Sequence, residues 1–228
     1  PNRVVMPPMV TRYASKDGYV TDKSRAYVRE RARGGTGLII FECTYPCERH
    51  PQRHWLIDDS YVEGLSSVVD AVHAEGGTLA VQLNTHRATS DEVEPLAPSP
   101  VDIPGGGTAE AIARERMDEL VTQFAAGADR AKRAGFDAIE IHAASGYLVQ
   151  QFLSPRTNRR DDAYGGDLEG RTRFARELLD AVRDEVGEDF PVWFRMPGHE
   201  FLEGGIDPAE ATRIGRRLAD AGSDALHV

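Results

Sequence analysis

Residues 134–139 read AGFDAI, and residues 221–226 read AGSDAL. In both copies a glycine ends a stretch with helical spacing, and an apolar run follows the aspartate. Two earlier apolar runs are also preceded by glycines, Gly34-Gly35 and Gly76-Gly77. A glycine there can adopt the left-handed conformation that turns the chain from a helix into the next strand. Repeated helix-to-strand junctions of one design favour a (β/α) barrel over a doubly wound sheet.

Helical and strand-like segments alternate along the rest of the chain. Apolar residues recur at helical intervals in residues 62–72, 117–128, 174–182 and 214–218. Six apolar runs predict strands at Arg3–Met6, Leu38–Cys43, Thr78–Leu83, Asp137–His142, Pro191–Arg195 and Asp224–Val228. This order predicts an α/β fold of the (β/α)8 TIM-barrel type. We expect residues 1–228 to form a single incomplete barrel domain of about six βα units, and residues 84–107 to form a long loop without regular structure.

Composition narrows the classes of function. Of the 228 residues, 40% are hydrophobic and 28% are charged, and the net charge is −10. This acidic balance argues against nucleic acid and anionic membranes as partners, and no apolar run approaches the ~18 residues of a membrane span. No secretory signal opens the chain, and its only cysteines are Cys43 and Cys47. We therefore expect a cytoplasmic protein, and the sequence leaves homo-oligomerisation open.

Two other patterns receive structural interpretations. His50 and His54 have the i, i+4 spacing of a metal-binding pair, but Pro51 disfavours the helix that would bring them together. We therefore predict no metal site. Arg159-Arg160 followed by Asp161-Asp162 is interpreted as an ion network that braces a loop. Neither GxGxxG after the first strand nor GxxxxGK[ST] occurs, which weakens dinucleotide-fold and P-loop alternatives.

Polar side chains stand at the ends of several predicted strands, namely Glu42, Cys43, Gln82, Asn84, His142 and Arg195. The carboxyl ends of the strands form the catalytic face of a parallel barrel. Strand alternation places Glu140 and His142 on one face of their strand, and Ile139 and Ile141 on the other. We expect the apolar face to pack against helices, with Glu140 and His142 pointing into the barrel.

Residues 140–174 open with a histidine and a tyrosine five positions apart, His142 and Tyr147, and continue as a polar loop. With Gln82 and Arg195 these residues suit an oxidised flavin. Gln82 can donate and accept in the plane of the pyrimidine edge, and the permanent charge of Arg195 suits N1, where reduction builds negative charge. His142 and Tyr147 can bind a substrate carbonyl, and a phenol can transfer a proton. This set predicts flavin-dependent hydride transfer to a small-molecule substrate.

Four blocks resemble the Old Yellow Enzyme family, specifically its NADH:flavin oxidoreductase and 2,4-dienoyl-CoA reductase branch. They are residues 2–9 (NRVVMPPM) with 17–22 (DGYVTD), residues 81–84 (VQLN), residues 140–174, and residues 190–195 (FPVWFR) with 203–205 (EGG). The third block, which contains NRRDDAYGG, is the most specific. The resemblance covers nearly the whole chain. It implies an FMN-binding TIM barrel that transfers hydride from NAD(P)H, through flavin N5, to activated alkenes or related electrophiles.

The resemblance also implies which residues lie beside the flavin: Pro7, Met9, Val10, Cys43, Gln82 and Arg195. Cys43 would act mainly through its backbone, Gln82 would hold the pyrimidine edge, and Arg195 would lie beside N1 and O2. Val10 departs from relatives that often have Thr, Cys or Gly there. A valine cannot tune the flavin potential through a hydroxyl or thiol near O4.

On the substrate side, the resemblance implies that His142 binds the electron-withdrawing oxygen and that Tyr147 protonates the carbon opposite the incoming hydride. The family's second oxygen ligand, His or Asn, is replaced by Ser145, whose hydroxyl can donate but is shorter. The family's HAGR run is replaced by Thr85-His86-Arg87, which alters that side of the site.

Two alternatives stay open. An amine demethylase or dehydrogenase of the same fold is favoured by Ser145, because an amine has no carbonyl that needs two donors. The seventh and eighth βα units, where the family holds the FMN phosphate, are not among the 228 residues. We therefore expect a fragment of a longer protein, and the other alternative is a non-catalytic barrel fragment that cannot hold FMN.

Overall fold

The computed structural model describes residues 2–85, 95–103 and 107–228. Its helices are α1 (Asp22–Arg33), α2 (Val62–His73), α3 (Arg114–Arg133), α4 (Leu148–Leu153), α5 (Leu168–Val186) and α6 (Pro208–Asp220). Its strands are β1 (Val5–Met6), β2 (Leu38–Tyr45), β3 (His54–Trp55), β4 (Thr78–Leu83), β5 (Leu96–Ala97), β6 (Val101–Asp102), β7 (Thr108–Ala111), β8 (Ala138–His142), β9 (Val192–Arg195) and β10 (Leu226–His227). All six predicted strands are present, as β1, β2, β4, β8, β9 and β10.

The described residues separate into two compact units. Unit 1 contains the chain up to Asn84, Gln123–Glu140 and Val182–Pro191. Unit 2 contains the described part of Thr85–Thr122, Ile141–Ala181 and Val192–Val228. Within unit 1 the sheet has the strand order β1-β2-β4, with β3 beside β2. The interpretation of residues 1–228 as one incomplete domain stays a prediction.

Unit 1 is built from parallel strands covered by capped helices. Within its sheet β1 pairs with β2 and β2 with β4, in parallel. Helix α1 begins after Thr21, which forms a capping box with Ser24, so two backbone donors at the helix start are satisfied. Helices α1 and α2 bury apolar faces that include Val28, Leu65 and Val69. Burial of these faces supplies the main driving force for the unit.

Unit 2 contains β9 and β10, which pair in parallel with Arg195 opposite His227. Helix α6 begins after Asp207, whose side chain accepts from the Glu210 N–H at 2.8 Å. A second, small sheet has the order β5-β7-β6. The expectation of a loop without regular structure over residues 84–107 was wrong in part, because β5 and β6 lie within it. Two-residue strands are too short to leave an apolar alternation in the sequence.

The repeated AGxDA junctions have one structural role in both units. Gly135 and Gly222 adopt φ of 93° and 101°, in the left-handed region, as the pattern predicted. In unit 1 the Asp137 carboxylate accepts from the Leu79 N–H at 2.7 Å, while the Asp137 N–H donates to the Leu79 carbonyl at 2.9 Å. In unit 2 Asp224 makes the same two bonds with Val192, at 2.7 and 2.9 Å. The aspartate therefore ties each new strand to the start of its neighbour.

Candidate functional site

The flavin-side prediction in unit 1 centres on Gln82, near the end of β4, which is almost completely buried. Its Oε1 accepts from Cys43 Sγ at 2.8 Å, and its Nε2 donates to Glu140 Oε1 at 2.7 Å. Cys43, Gln82 and Glu140 lie on β2, β4 and β8 and are all buried. The structure therefore brings polar residues from three strands into one hydrogen-bonded chain. Sequence reasoning identified all three as inward-facing or polar, but not that they bond to one another.

The segment that follows β1 carries the other flavin-side residues. Pro7, Met9 and Val10 are exposed, and the exposed fractions of Met9 and Val10 are 54% and 40%. Exposed apolar side chains in sequence form a surface that suits the face of an aromatic ring. The next residue, Thr11, is half-buried and fixes the segment through hydrogen bonds to a buried carboxylate. Thr11 donates its backbone N–H to Glu42 Oε2 at 2.8 Å and its hydroxyl to Glu42 Oε1.

A buried polar network extends inward from Glu42. Its carboxylate lies 3.6 Å from His54 Nδ1, and His54 Nε2 lies 3.0 Å from Ser24 Oγ. Burial raises the pKa of Glu42, against hydrogen bonds from Thr11 that lower it. Burial also lowers the pKa of His54 to about 4. His54 is therefore a core histidine that braces β3, and it does not form an exposed pair with His50. Thr11 was missed because a contact across 31 residues leaves no local pattern.

In unit 2, His142 and Tyr147 come together through a tight turn. Their ring centroids are 4.9 Å apart, with planes inclined by 48°. Between them, Ser145 and Gly146 have φ of 60° and 78°, so the chain reverses within a few residues. The Tyr147 N–H donates to the Ala144 carbonyl, and the Gly146 N–H donates to Gln150 Oε1 at 2.8 Å. Sequence reasoning expected the His–Tyr pair, and the turn explains how it forms.

His142 is held as a neutral ring. Burial, and then electrostatic interactions with Arg195 and with His227, lower the pKa of His142 to about 3. A neutral imidazole has one donor and one acceptor nitrogen. His142 Nδ1 is buried without a hydrogen-bond partner among the residues that the structure describes. A buried polar atom of this kind is expected to find a partner when a ligand binds.

The structure describes Ser145, but it describes only the first residue of the Thr85-His86-Arg87 run that replaces the family's HAGR. Ser145 is exposed at the crest of the turn. Thr85 is completely buried, whereas His86 and Arg87 lie outside the described residues.

The polar loop after Ser154 is structural within unit 2. Asn158 donates to the carbonyls of Phe152 and Tyr164 at 2.8 and 2.7 Å. Arg160 pairs with Asp162 and also donates to the Pro98 and Ile112 carbonyls at 2.9 and 3.0 Å. The interpretation of this loop as a braced ion network is confirmed.

Glu200, which sequence reasoning missed, supports the same region of unit 2. Its carboxylate accepts from Gln150 Nε2 at 2.6 Å, Ser154 Oγ at 2.7 Å and the Ile206 N–H at 2.6 Å. Gln150 in turn binds the turn before Tyr147. Glu200 is thus a positioning residue for that turn, and no strand or helix period marks it in the sequence.

Two absences concern only the described residues. No cluster of three or more His, Cys, Asp or Glu there could hold a metal ion. Within the same ranges no helix combines the length and apolarity needed to cross a bilayer. The cytoplasmic location stays a prediction.

The parallel strands and the helices between them define a class of fold, α/β of the (β/α) barrel type. Comparison with known proteins makes the assignment more specific. The chain belongs to the NADH:flavin oxidoreductase / NADH oxidase family, whose model matches residues 1–228. The predicted family and the predicted TIM-barrel fold class are therefore confirmed.

Individual relatives agree with this assignment. The chain is 41% identical over 237 residues to an NADH oxidase of Thermoanaerobacter brockii, covering 100% of this chain and 36% of that protein. It is 40% identical over 222 residues to an NADPH dehydrogenase of Clostridium acetobutylicum, covering 93% of this chain and 65% of that protein. The solved structure of the old yellow enzyme homologue from Zymomonas mobilis superposes with a TM-score of 0.88 at 28% identity, covering 99% of this chain and 68% of that one. The chain therefore spans about a third to two thirds of the length of these relatives.

Proposed function

We propose that the protein is an FMN-dependent ene reductase, which uses NAD(P)H to reduce an activated alkene such as an enone or enoyl thioester. The observation that carries this proposal is the contact in unit 2 between a neutral, buried His142 and the ring of Tyr147. Bound FMN would supply hydride transfer from NAD(P)H at its N5 atom. NAD(P)H is oxidised to NAD(P)⁺, and the substrate C=C bond becomes a single bond by gaining one hydride and one proton.

The neutral state of His142 supports a division of roles between His142 and Tyr147. With a pKa of about 3 the ring carries no additional proton at neutral pH, so it is not the acid. It can donate one N–H to the oxygen of the substrate, which draws electron density from the alkene. Tyr147 lies against that ring and can donate its phenolic proton to the carbon opposite the hydride. The proton is then restored from water.

The side chains of unit 1 suit FMN by their chemistry. Gln82 carries two N–H groups and a carbonyl oxygen, and its bonds to Cys43 and Glu140 use one N–H. The other N–H suits a carbonyl of the pyrimidine ring. Met9 and Val10 offer exposed apolar surface. Arg195, in unit 2, carries a permanent positive charge, which the resemblance implies for the group beside N1.

A second candidate is oxidation of an amine by an enzyme of the same fold. It is favoured by Ser145, which is exposed and replaces the family's second oxygen ligand. An amine substrate needs no second donor to a carbonyl oxygen. The enone and amine hypotheses share FMN but differ in the bond that reacts.

One experiment tests these candidates. The purified protein is loaded with FMN, and its visible spectrum is recorded anaerobically with NADH or NADPH and then with a cyclic enone or an N-methylated amine. Bleaching by a nicotinamide and recovery of the yellow colour by the enone support the ene reductase. Bleaching by the amine supports amine oxidation instead. A protein that takes up no FMN supports the non-catalytic fragment.

A further inference from the structure

In unit 1 the buried side chains of Cys43 and Glu140 both hydrogen-bond to the side-chain amide of Gln82. Their donor and acceptor groups determine which way that amide is oriented. A carboxylate only accepts hydrogen bonds, so the group that faces Glu140 Oε1 at 2.7 Å must be the Nε2 amine of Gln82. The carbonyl Oε1 then faces Cys43 Sγ at 2.8 Å, and a thiol can donate to it. The two neighbours therefore agree on one orientation.

The opposite orientation is disfavoured at both ends. Rotating the amide by 180° would set Oε1 against a carboxylate oxygen, which places two acceptors together in a buried region. It would also leave Nε2 to donate to the thiol sulfur, which is a weaker acceptor than a carbonyl oxygen. Gln82 is 1% exposed, so water offers little compensation for either mismatch.

We propose that Cys43 and Glu140 are positioning residues that set the direction of the Gln82 amide, so that its second N–H is presented to a carbonyl of the FMN pyrimidine ring. This inference rests on the proposed function. It gives the Cys43 side chain a role that the sequence did not suggest, since the resemblance implied contact through the backbone. It also explains why a strand interior holds a fully buried acid at Glu140.

The test compares Cys43→Ala with Cys43→Ser, because serine keeps a donor at this position and alanine does not. Both are measured for FMN affinity by fluorescence and for flavin midpoint potential. Cys43→Ala is expected to bind FMN about 3- to 10-fold more weakly, because the free energy of one neutral hydrogen bond corresponds to about that factor in affinity. Its flavin midpoint potential is expected to be more negative than that of the wild type. Cys43→Ser is expected to restore both values toward the wild type. Cys47→Ala, at the other cysteine, is the matched control and should leave both values unchanged.

Glu140→Gln tests the second hydrogen bond to Gln82. A glutamine at position 140 can accept or donate, so it no longer determines the orientation of the Gln82 amide. It should weaken FMN binding by a similar factor, and circular dichroism reports whether it folds. If it does not fold, the Cys43 series still decides. An unchanged Cys43→Ala protein, or equal losses in Cys43→Ala and Cys43→Ser, would overturn the inference while leaving the proposed function intact. A wild-type protein that takes up no FMN overturns both.

Discussion

The ring of Tyr147 lies against that of His142 at a centroid distance of 4.9 Å, on the far side of a two-residue left-handed turn. The turn matters because it is short. Ser145 and Gly146 carry the reversal, so the tyrosine is held by local backbone geometry rather than by a long loop. The pair separates the two polar tasks of the proposed reaction, since the imidazole binds oxygen and the phenol provides the proton.

Tyr147→Phe should separate the two half-reactions. The substitution keeps the ring against His142 and removes only the O–H. We expect alkene reduction to slow by about 100-fold or more, the usual contribution of a general acid, while reduction of the flavin by NAD(P)H keeps its rate. Stopped-flow spectroscopy measures each half-reaction separately. Equal slowing of both would rule out Tyr147 as the proton donor.

Ser145→Asn should strengthen binding of a carbonyl substrate. Asparagine tolerates the left-handed φ of 60° at this position, and its amide supplies a longer second donor. We expect enone affinity to rise about 3- to 10-fold, which corresponds to one added hydrogen bond. Ser145→Gly is the control, because it allows the same backbone conformation without a donor. If the glycine variant gains as much affinity as the asparagine variant, the effect comes from the backbone alone.

The buried histidines should make the fold less stable in acid. The pKa values of His142 and His54 are lowered from 6.5 to about 3 and about 4, so the unfolded chain binds more protons than the folded chain below pH 6.5. The free energy of unfolding therefore falls as pH drops through this window, by up to about 1.4 kcal/mol per pH unit for each histidine. Above pH 6.5 both states hold neutral rings, and this contribution to the slope vanishes.

Urea unfolding of His142→Asn and His54→Asn at several pH values between 4.5 and 7 measures this effect. Each variant should show a shallower slope than the wild type, whatever its stability at neutral pH. A slope that is the same in the wild type and both variants would contradict the burial of the neutral rings.

Much of the fold and part of the site could be predicted from the sequence, and the division has a physical basis. Gly135 and the strand ends at Gln82 and His142 are marked by local chemistry, because a left-handed glycine and a polar residue after an apolar run are both visible in a few residues. The contact between Thr11 and Glu42 spans 31 residues and has no such mark. The direction of the Gln82 amide also depends on neighbours from two other strands. The alternation of helical and strand-like segments in the sequence made a parallel sheet predictable. Which side chains form hydrogen bonds across neighbouring strands depends on the register of those strands, and the sequence does not show it.

The repeated junction aspartates give the last prediction. Asp137 and Asp224 each accept from one backbone N–H at the start of a neighbouring strand, and loss of the acceptor leaves that backbone donor without this partner. We expect Asp137→Ala and Asp224→Ala each to lower the free energy of unfolding by about 1–3 kcal/mol, while the Asn variants retain most of it because the amide oxygen can still accept. Asp70→Ala, at an exposed position on α2, is the control and should change stability by less than about 0.5 kcal/mol. Chemical denaturation measures all five variants. Alanine variants as stable as the control would show that the repeat reflects only the turn at the preceding glycine and not the bond to the neighbouring strand.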